Sequence, residues 1–337
     1  MSHLGVDLDL NINKHIEKHD IEEIILSLGY KKTEFDNTYF WFDYDYRSTR
    51  GCWFSFGYNR EYFIEGQDRQ VKTSMETSTK AGRSYYDLQK QIDTIKLLEE
   101  RFGGTVYGDG EEGYFENDLP KLSRTDIACG FAYINFKRNL AMVEGLIEDV
   151  DLEKIKNYEE NGIPLIFEKN YLRNNTLLPF FVSVMENFLK TFTYRYIETN
   201  EEAQNIIYKK KDRQLPYNVV KKLINGEKNI IDIEIEEYSF QNFKSANKAF
   251  IKYIGIDLFK DILSHKIQVE GQEKTLVTVL TEMIDYRHKL IHEALLNNTL
   301  GKNKMKCYHS GLELLGNILV SYLLEKRNIR IELEEEL

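Results

Sequence analysis

The chain has 337 residues, 42% of them hydrophobic and 13% aromatic, with a formal net charge of −10. That composition supports packed cores and excludes an intrinsically disordered chain, and the negative balance excludes a broad nucleic-acid surface, leaving room only for local basic patches. Three widely separated cysteines, Cys52, Cys129 and Cys307, fit a reducing cytoplasm without a disulfide framework or a Cys-rich metal site. With no apolar run of about 18 residues and no basic-then-apolar leader, the sequence reads as a soluble, unexported, cytoplasmic protein.

In chain order, Val6, Leu8, Leu10 and Ile12 alternate with Asp7, Asp9 and Asn11, the period of a strand with one buried face. Asp20 and Glu23 form a capping-box pattern ahead of Ile24, Ile25 and Leu28, and Gly29 closes that short helix. Aromatic and β-branched runs bounded by Gly and Asn predict strands over 39–46, 52–58, 62–65 and 70–77. Ser84 and Asp87 open a second helix, carried by Leu88, Ile92, Ile95 and Leu98 to a Gly103-Gly104 stop, and a strand pair over 105–107 and 113–115 follows. This order predicts an α+β domain, an antiparallel sheet with two helices packed on one face. The rings of Tyr39, Phe40, Trp41, Phe42, Trp53 and Phe54 could stack bases, although aromatic residues on a sheet are more often core.

From Ser123 the pattern turns helical, with Ile127, Phe131, Ile134, Leu140 and Val143 at helical spacing. Charged residues over 148–160 read as a solvated connection, and 177–197 is apolar nearly all round, as a buried helix is. Lys209, Lys210, Lys211, Asp212 and Arg213 form a basic loop. Ser239 stands as the cap of a helix running through Phe243, Phe250 and Ile254 to Gly255, and a last helix over about 304–326 carries Leu312, Leu315, Leu319 and Leu323. The domains expected are therefore an α+β unit over 1–120, a helical linker region over 121–168 and an all-α unit over 169–337.

Between those last two helices lies an apolar helical segment over about 275–296, which contains Asp285, Tyr286, Arg287, His288, Lys289, Leu290, Ile291, His292 and Glu293. At about 100° per residue, Leu276, Leu280, Met283, Ile284, Leu290 and Ile291 fall within about 60° of Arg287. A cation thus stands at the centre of the apolar stripe, with His288 and His292, one turn apart, on its flank. Burying an unpaired guanidinium is costly, so the helix needs a polar partner or an interface there. Glu186, within the apolar run 180–190, is the candidate partner.

Arg, four residues and His near the end of such a helix resemble the R-x4-6-H motif of HEPN domains. His288 matches the polar residue that often follows the Arg in that family, and the run around Glu186 resembles the family's first helix. The resemblance covers about residues 170–330 and has no counterpart in the first half. It implies an HEPN-like helical bundle and a metal-independent endoribonuclease of the toxin–antitoxin, abortive-infection or phage-defence kind. Neither a cofactor nor a metal is expected. The implied catalytic residues are Arg287, His292 and His288, supported by Glu186 and Tyr286, with Lys289, Lys209, Lys210 and Lys211 as RNA contacts. The chemistry is coherent. A planar guanidinium binds phosphate through two parallel hydrogen bonds, and an imidazole can take the 2′-hydroxyl proton or protonate the leaving 5′-oxygen. Because one chain offers few such groups, the resemblance also implies a homodimer through the C-terminal domain with the site shared. Expected partners are RNA, a second copy, and an antitoxin or phage-derived trigger, with no membrane. Two other readings stay open: a non-catalytic HEPN-like dimerisation or ligand-binding module, and a sensor whose N-terminal domain binds a nucleotide or protein.

Overall fold

The structure, a computed structural model, describes residues 5–64, 67–165, 168–209, 214–269 and 271–331. They fall into two compact units, one reaching to Ile127 and the other spanning Ala128–Ile331.

The first unit is assembled on β1 (Val6–Ile12), whose alternation sends Leu8, Leu10 and Ile12 into the core. Antiparallel neighbours flank it on both sides, β5 (Gln67–Thr79) and β6 (Thr105–Gly108), so that Leu10 lies opposite Met75 on one strand and Val106 on the other. The full sheet has the order β2 (Lys31–Lys32), β3 (Thr38–Trp41), β4 (Cys52–Ile64), β5, β1, β6 and β7 (Glu111–Glu112). Ile21 and Ile25 of α1 (Lys18–Ser27) and Ile95 and Leu98 of α2 (Tyr85–Phe102) pack with Leu8, Tyr39, Phe54 and Phe56 in one apolar cluster. Helix α2 begins with a capping box: the Asp87 N–H donates to Ser84 Oγ at 3.1 Å, and the Ser84 N–H donates to the Asp87 carboxylate at 3.0 Å.

Several expected boundaries shift. The segments 52–58 and 62–65 belong, as far as Ile64, to one strand, because β4 keeps pairing with β5 past Asn59; residue 65 lies outside the described residues. The partner of β6 is Glu111–Glu112, since Tyr114 and Phe115 leave the sheet edge to pack against the core. Helix α1 starts a turn before the Asp20–Glu23 pattern, with Glu17 as an N-cap that makes no side-chain bond.

The second unit is mostly helical. In order come α3 (Arg124–Glu144), α4 (Leu152–Glu160), α5 (Lys169–Thr199), α6 (Glu201–Tyr208), α7 (Tyr217–Ile224), α8 (Ile230–Ile235) and α9 (Phe243–Ala249). Two π-helical turns, Phe250–Ile254 and Leu258–Ile262, lead to a hairpin of β8 (Lys266–Val269) and β9 (Gln272–Thr275), then α10 (Leu276–Glu293) and α11 (Lys302–Arg327). The all-α expectation is corrected by that hairpin, whose second strand runs directly into α10. Helix α5 is the central element: Phe181, Val182, Met185, Phe188, Leu189 and Phe192 are each at most 1% exposed, and the Phe188 ring stacks on Phe136 of α3 at 4.2 Å. The 148–160 stretch is more than a connection, because Asp151 caps α4 and Ile155 is 1% exposed. Asn242, not Ser239, caps α9 by accepting from the Lys244 and Ser245 N–H groups. Among the described residues no helix is long and apolar enough to cross a membrane.

Candidate functional site

Helix α10 is covered at its start and uncovered at its end. Leu276, Val279, Leu280 and Met283 are at most 1% exposed, and no residue of the helix after Met283 is buried. The apolar stripe nevertheless continues: Leu290 is half-buried, Ile291 is 48% exposed, and beyond the helix Leu295 and Leu296 are 55% and 41% exposed. Arg287 lies on this uncovered length, half-buried, with no hydrogen bond or ion pair among the described residues. His288 and His292 are exposed on the flank, their ring centroids 4.5 Å apart and their planes at 45°. One helical turn thus brings two imidazoles together on the helix that carries a guanidinium which no carboxylate among the described residues holds.

The expected Glu186–Arg287 pair does not form. The half-buried Glu186 instead accepts a 2.5 Å hydrogen bond from Gln241 Nε2. The reason is axial: coverage of α10 stops one turn before Arg287, so the guanidinium reaches water and needs no internal anion. Tyr286 is half-buried and packs against the core of the unit, as a structural residue does. Lys289 is exposed on α10, and Lys209 is exposed where α6 ends, with no bond or ion pair joining it to α10. Lys210 and Lys211 lie outside the described residues.

What fixes the end of α10 was missed in the sequence. Asn174 and Asn175, 0% and 1% exposed on α5, grip the segment that follows it. Asn175 Nδ2 donates to the Asn297 carbonyl at 3.2 Å while its Oδ1 accepts from the Asn297 N–H at 2.7 Å. Asn174 Nδ2 donates to the Leu300 carbonyl at 3.0 Å. A buried amide that mimics a backbone strand in this way makes the chain after α10 part of the fold. Lys304 adds a 2.5 Å ion pair to Glu282, tying α11 to α10. The only sequence signal was two adjacent amides at the head of an apolar helix.

Two other places on the helical unit differ from this one. His309 of α11 stands 3.7 Å from Glu144 of α3, its side chain 12% exposed, in a cleft of about 100 Å³. That cleft is too narrow for a nucleotide, and the pair serves to join two helices. A groove of about 350 Å³ between α3 and α5, lined by Met142, Leu146, Leu177, Phe180 and Val184, holds no titratable side chain. Among the described residues no three His, Cys, Asp or Glu side chains are grouped to hold a metal ion. Compared with protein-family models, with curated proteins and with solved structures, the chain matches none.

Proposed function

We propose that this protein is a metal-independent endoribonuclease whose active site is shared between two copies of an HEPN-like helical unit. The observation that carries the reading is Arg287: a guanidinium on an otherwise apolar stripe, left without an anion among the described residues, on the same helix as two imidazoles 4.5 Å apart. A structural arginine would be expected to hold a carboxylate, and this one is free for a phosphate. In the proposed reaction an imidazole, His292, takes the 2′-hydroxyl proton. That oxygen attacks the adjacent phosphorus while Arg287 bonds the phosphate oxygens, and the 5′-oxygen leaves with a proton from a second imidazole, His288 or the partner copy's. Products carry a 2′,3′-cyclic phosphate and a 5′-hydroxyl.

The exposed Ile291, Leu295 and Leu296 support the shared site, since a second copy would cover them while placing its own Arg287 and His292 opposite. RNA cleavage in the presence of EDTA, lost in Arg287→Ala and His292→Ala, is the expected result, and cleavage that needs added Mg²⁺ overturns it. Light scattering should report a particle of about twice the 39.9 kDa chain, and a monomer at micromolar concentration removes the shared site. A non-catalytic dimerisation module is the second reading, favoured by the same apolar run, and it predicts the dimer without cleavage. A role in phage defence or toxin-like stress response belongs to the first reading.

A further inference from the structure

The sheet of the first unit has two faces of different chemistry. Its register sends Leu10, Tyr39, Phe54, Phe56 and Met75 to the side of α1 and α2, and sends Lys31, Phe40, Trp53, Ser55 and Ser78 to the other. Phe40, Phe42 and Trp53 belong to neither hydrophobic core. With Tyr44 they form a row instead: Trp53 to Phe40 at 4.7 Å between ring centroids, Phe40 to Phe42 at 6.3 Å, and Phe42 to Tyr44 at 5.0 Å. Tyr44, at the open end, is 75% exposed. The row depends on Gly51, where a Cβ would meet Phe40 Cζ at 2.5 Å and where φ is +74°, so the backbone yields its space to the ring.

The surroundings select a ligand. Lys31, paired with Phe40 in the register, holds its ammonium 5.6 Å from the Tyr44 ring centre and has no carboxylate partner among the described residues. The paired residues of this face in β1, β3, β4 and β5, among them Thr38, Ser55, Ser74 and Ser78, include no Leu, Ile, Val or Met, the side chains that a protein-docking surface would mix with its rings. On β1 and β5 the same face carries Asp7, Asp9 and Glu76, so a polyanion would be confined to the β2–β3–β4 side.

We infer that the Trp53–Phe40–Phe42–Tyr44 row is a stacking platform for the unpaired bases of single-stranded RNA, with Lys31 meeting its phosphates. Every base has a π-face, so such a row binds with little sequence preference, and the Lys31 ammonium makes the binding salt-sensitive. This inference rests on the ribonuclease reading for its choice of RNA, and it gives the first unit the task of holding substrate.

The test uses the full-length His292→Ala protein and an unstructured RNA of about 12 nucleotides. Binding is read by anisotropy of a labelled strand and by quenching of tryptophan fluorescence, because Trp53 lies in the row. Micromolar binding with quenching is expected, weakened about tenfold by Phe42→Ala and by Tyr44→Ala, whose rings lie outside both cores and whose loss leaves thermal unfolding unchanged. A duplex of the same length should bind at least about tenfold more weakly, since its bases cannot reach the rings. Absence of binding, or binding that both substitutions leave intact, or equal affinity for duplex, overturns the inference. The two readings fail separately: a protein that binds single strands through these rings but cleaves none defeats only the ribonuclease, and one that cleaves with unaltered binding in Phe42→Ala and Tyr44→Ala defeats only the platform.

Discussion

A charged side chain at the start of α2 and another near the end of α10 are treated in opposite ways. Asp87 is fully buried, and its carboxylate accepts from Ser48 Oγ, the Thr49 N–H, the Arg50 N–H and the Ser84 N–H, the last three at 2.9–3.0 Å. Arg287 is half-buried and has no such partner among the described residues. A saturated charge is spent on holding its surroundings, here the loop over 48–50 against a helix N-terminus. An unsaturated charge within reach of water costs less to keep and stays available to a ligand. Polar groups can be sorted this way, by how many of their bonds the fold already uses, into those that hold the scaffold and those left available to a ligand.

The comparison breaks most visibly in activity. His292→Ala should lower RNA cleavage by about 10²–10⁴-fold, the usual loss for a proton-transfer group, while its melting temperature stays within a few degrees because the residue is exposed. A folded variant that cleaves at the wild-type rate would show that the imidazole pair is only surface. Asp87→Ala should do the reverse. Stranding four donors in a closed site costs on the order of 3 kcal/mol. Both tryptophans of the chain, Trp41 and Trp53, lie in the first unit, so fluorescence-detected urea unfolding reads this loss in that unit alone. An unchanged midpoint would mean that the donors find water, and the contrast with Arg287 would lose one of its two terms.

A smaller effect is set by pH. Burial pushes the Cys52 thiol up to about 12 from its ordinary 9.0, and it pushes the Tyr30 hydroxyl, which donates to Cys52 Sγ at 3.2 Å, well above its usual range. Both groups bind their protons more tightly folded than unfolded. Their contribution is therefore intact below about pH 9 and is withdrawn as the pH rises toward the folded values, at about 1.4 kcal/mol per pH unit for the thiol. Tryptophan fluorescence should show the first unit weakening above pH 9, and Cys52→Ala should flatten the first part of that slope. A slope identical in the variant would assign the alkaline loss to the tyrosines.

How much of this the sequence disclosed depended on the kind of signal. The alternation of β1 and the Ser84–Asp87 box are local, and both appear in the fold where the pattern put them. β2 could not be seen in Lys31 and Lys32, because only pairing with Phe40 and Tyr39 makes those lysines a strand. The same holds for the β8–β9 hairpin, whose polar residues carry no alternation of their own. At the candidate site the periodicity of α10 gave the azimuth of Arg287 correctly, yet Glu186 was assigned to it wrongly. A helical wheel fixes the angle a residue faces and says nothing about how far along the axis neighbours cover it; that limit, at Met283, comes from distant chain. Asn174 and Asn175 were invisible for a related reason, since their partners lie more than a hundred residues away.

The smallest effect expected is also the one that tests the comparison most narrowly. Arg287→Ala should change folding stability by less than about 1 kcal/mol. The guanidinium gives up no hydrogen bond or ion pair within the described chain, and no carboxylate is stranded, because Glu186 keeps its bond from Gln241. What is lost is the packing of an aliphatic stem on a half-covered stripe, and what is gained is relief from holding a charge partly out of water. These terms oppose each other, and alanine's helix propensity is slightly better than arginine's. Thermal unfolding followed by far-ultraviolet circular dichroism at low and at high protein concentration separates a shift arising within the chain from one arising in self-association. A loss of about 3 kcal/mol at both concentrations would mean that Arg287 is bound internally after all, and the site would have to be sought elsewhere. A near-zero change with cleavage abolished would leave this arginine with one employer, the phosphate of a substrate.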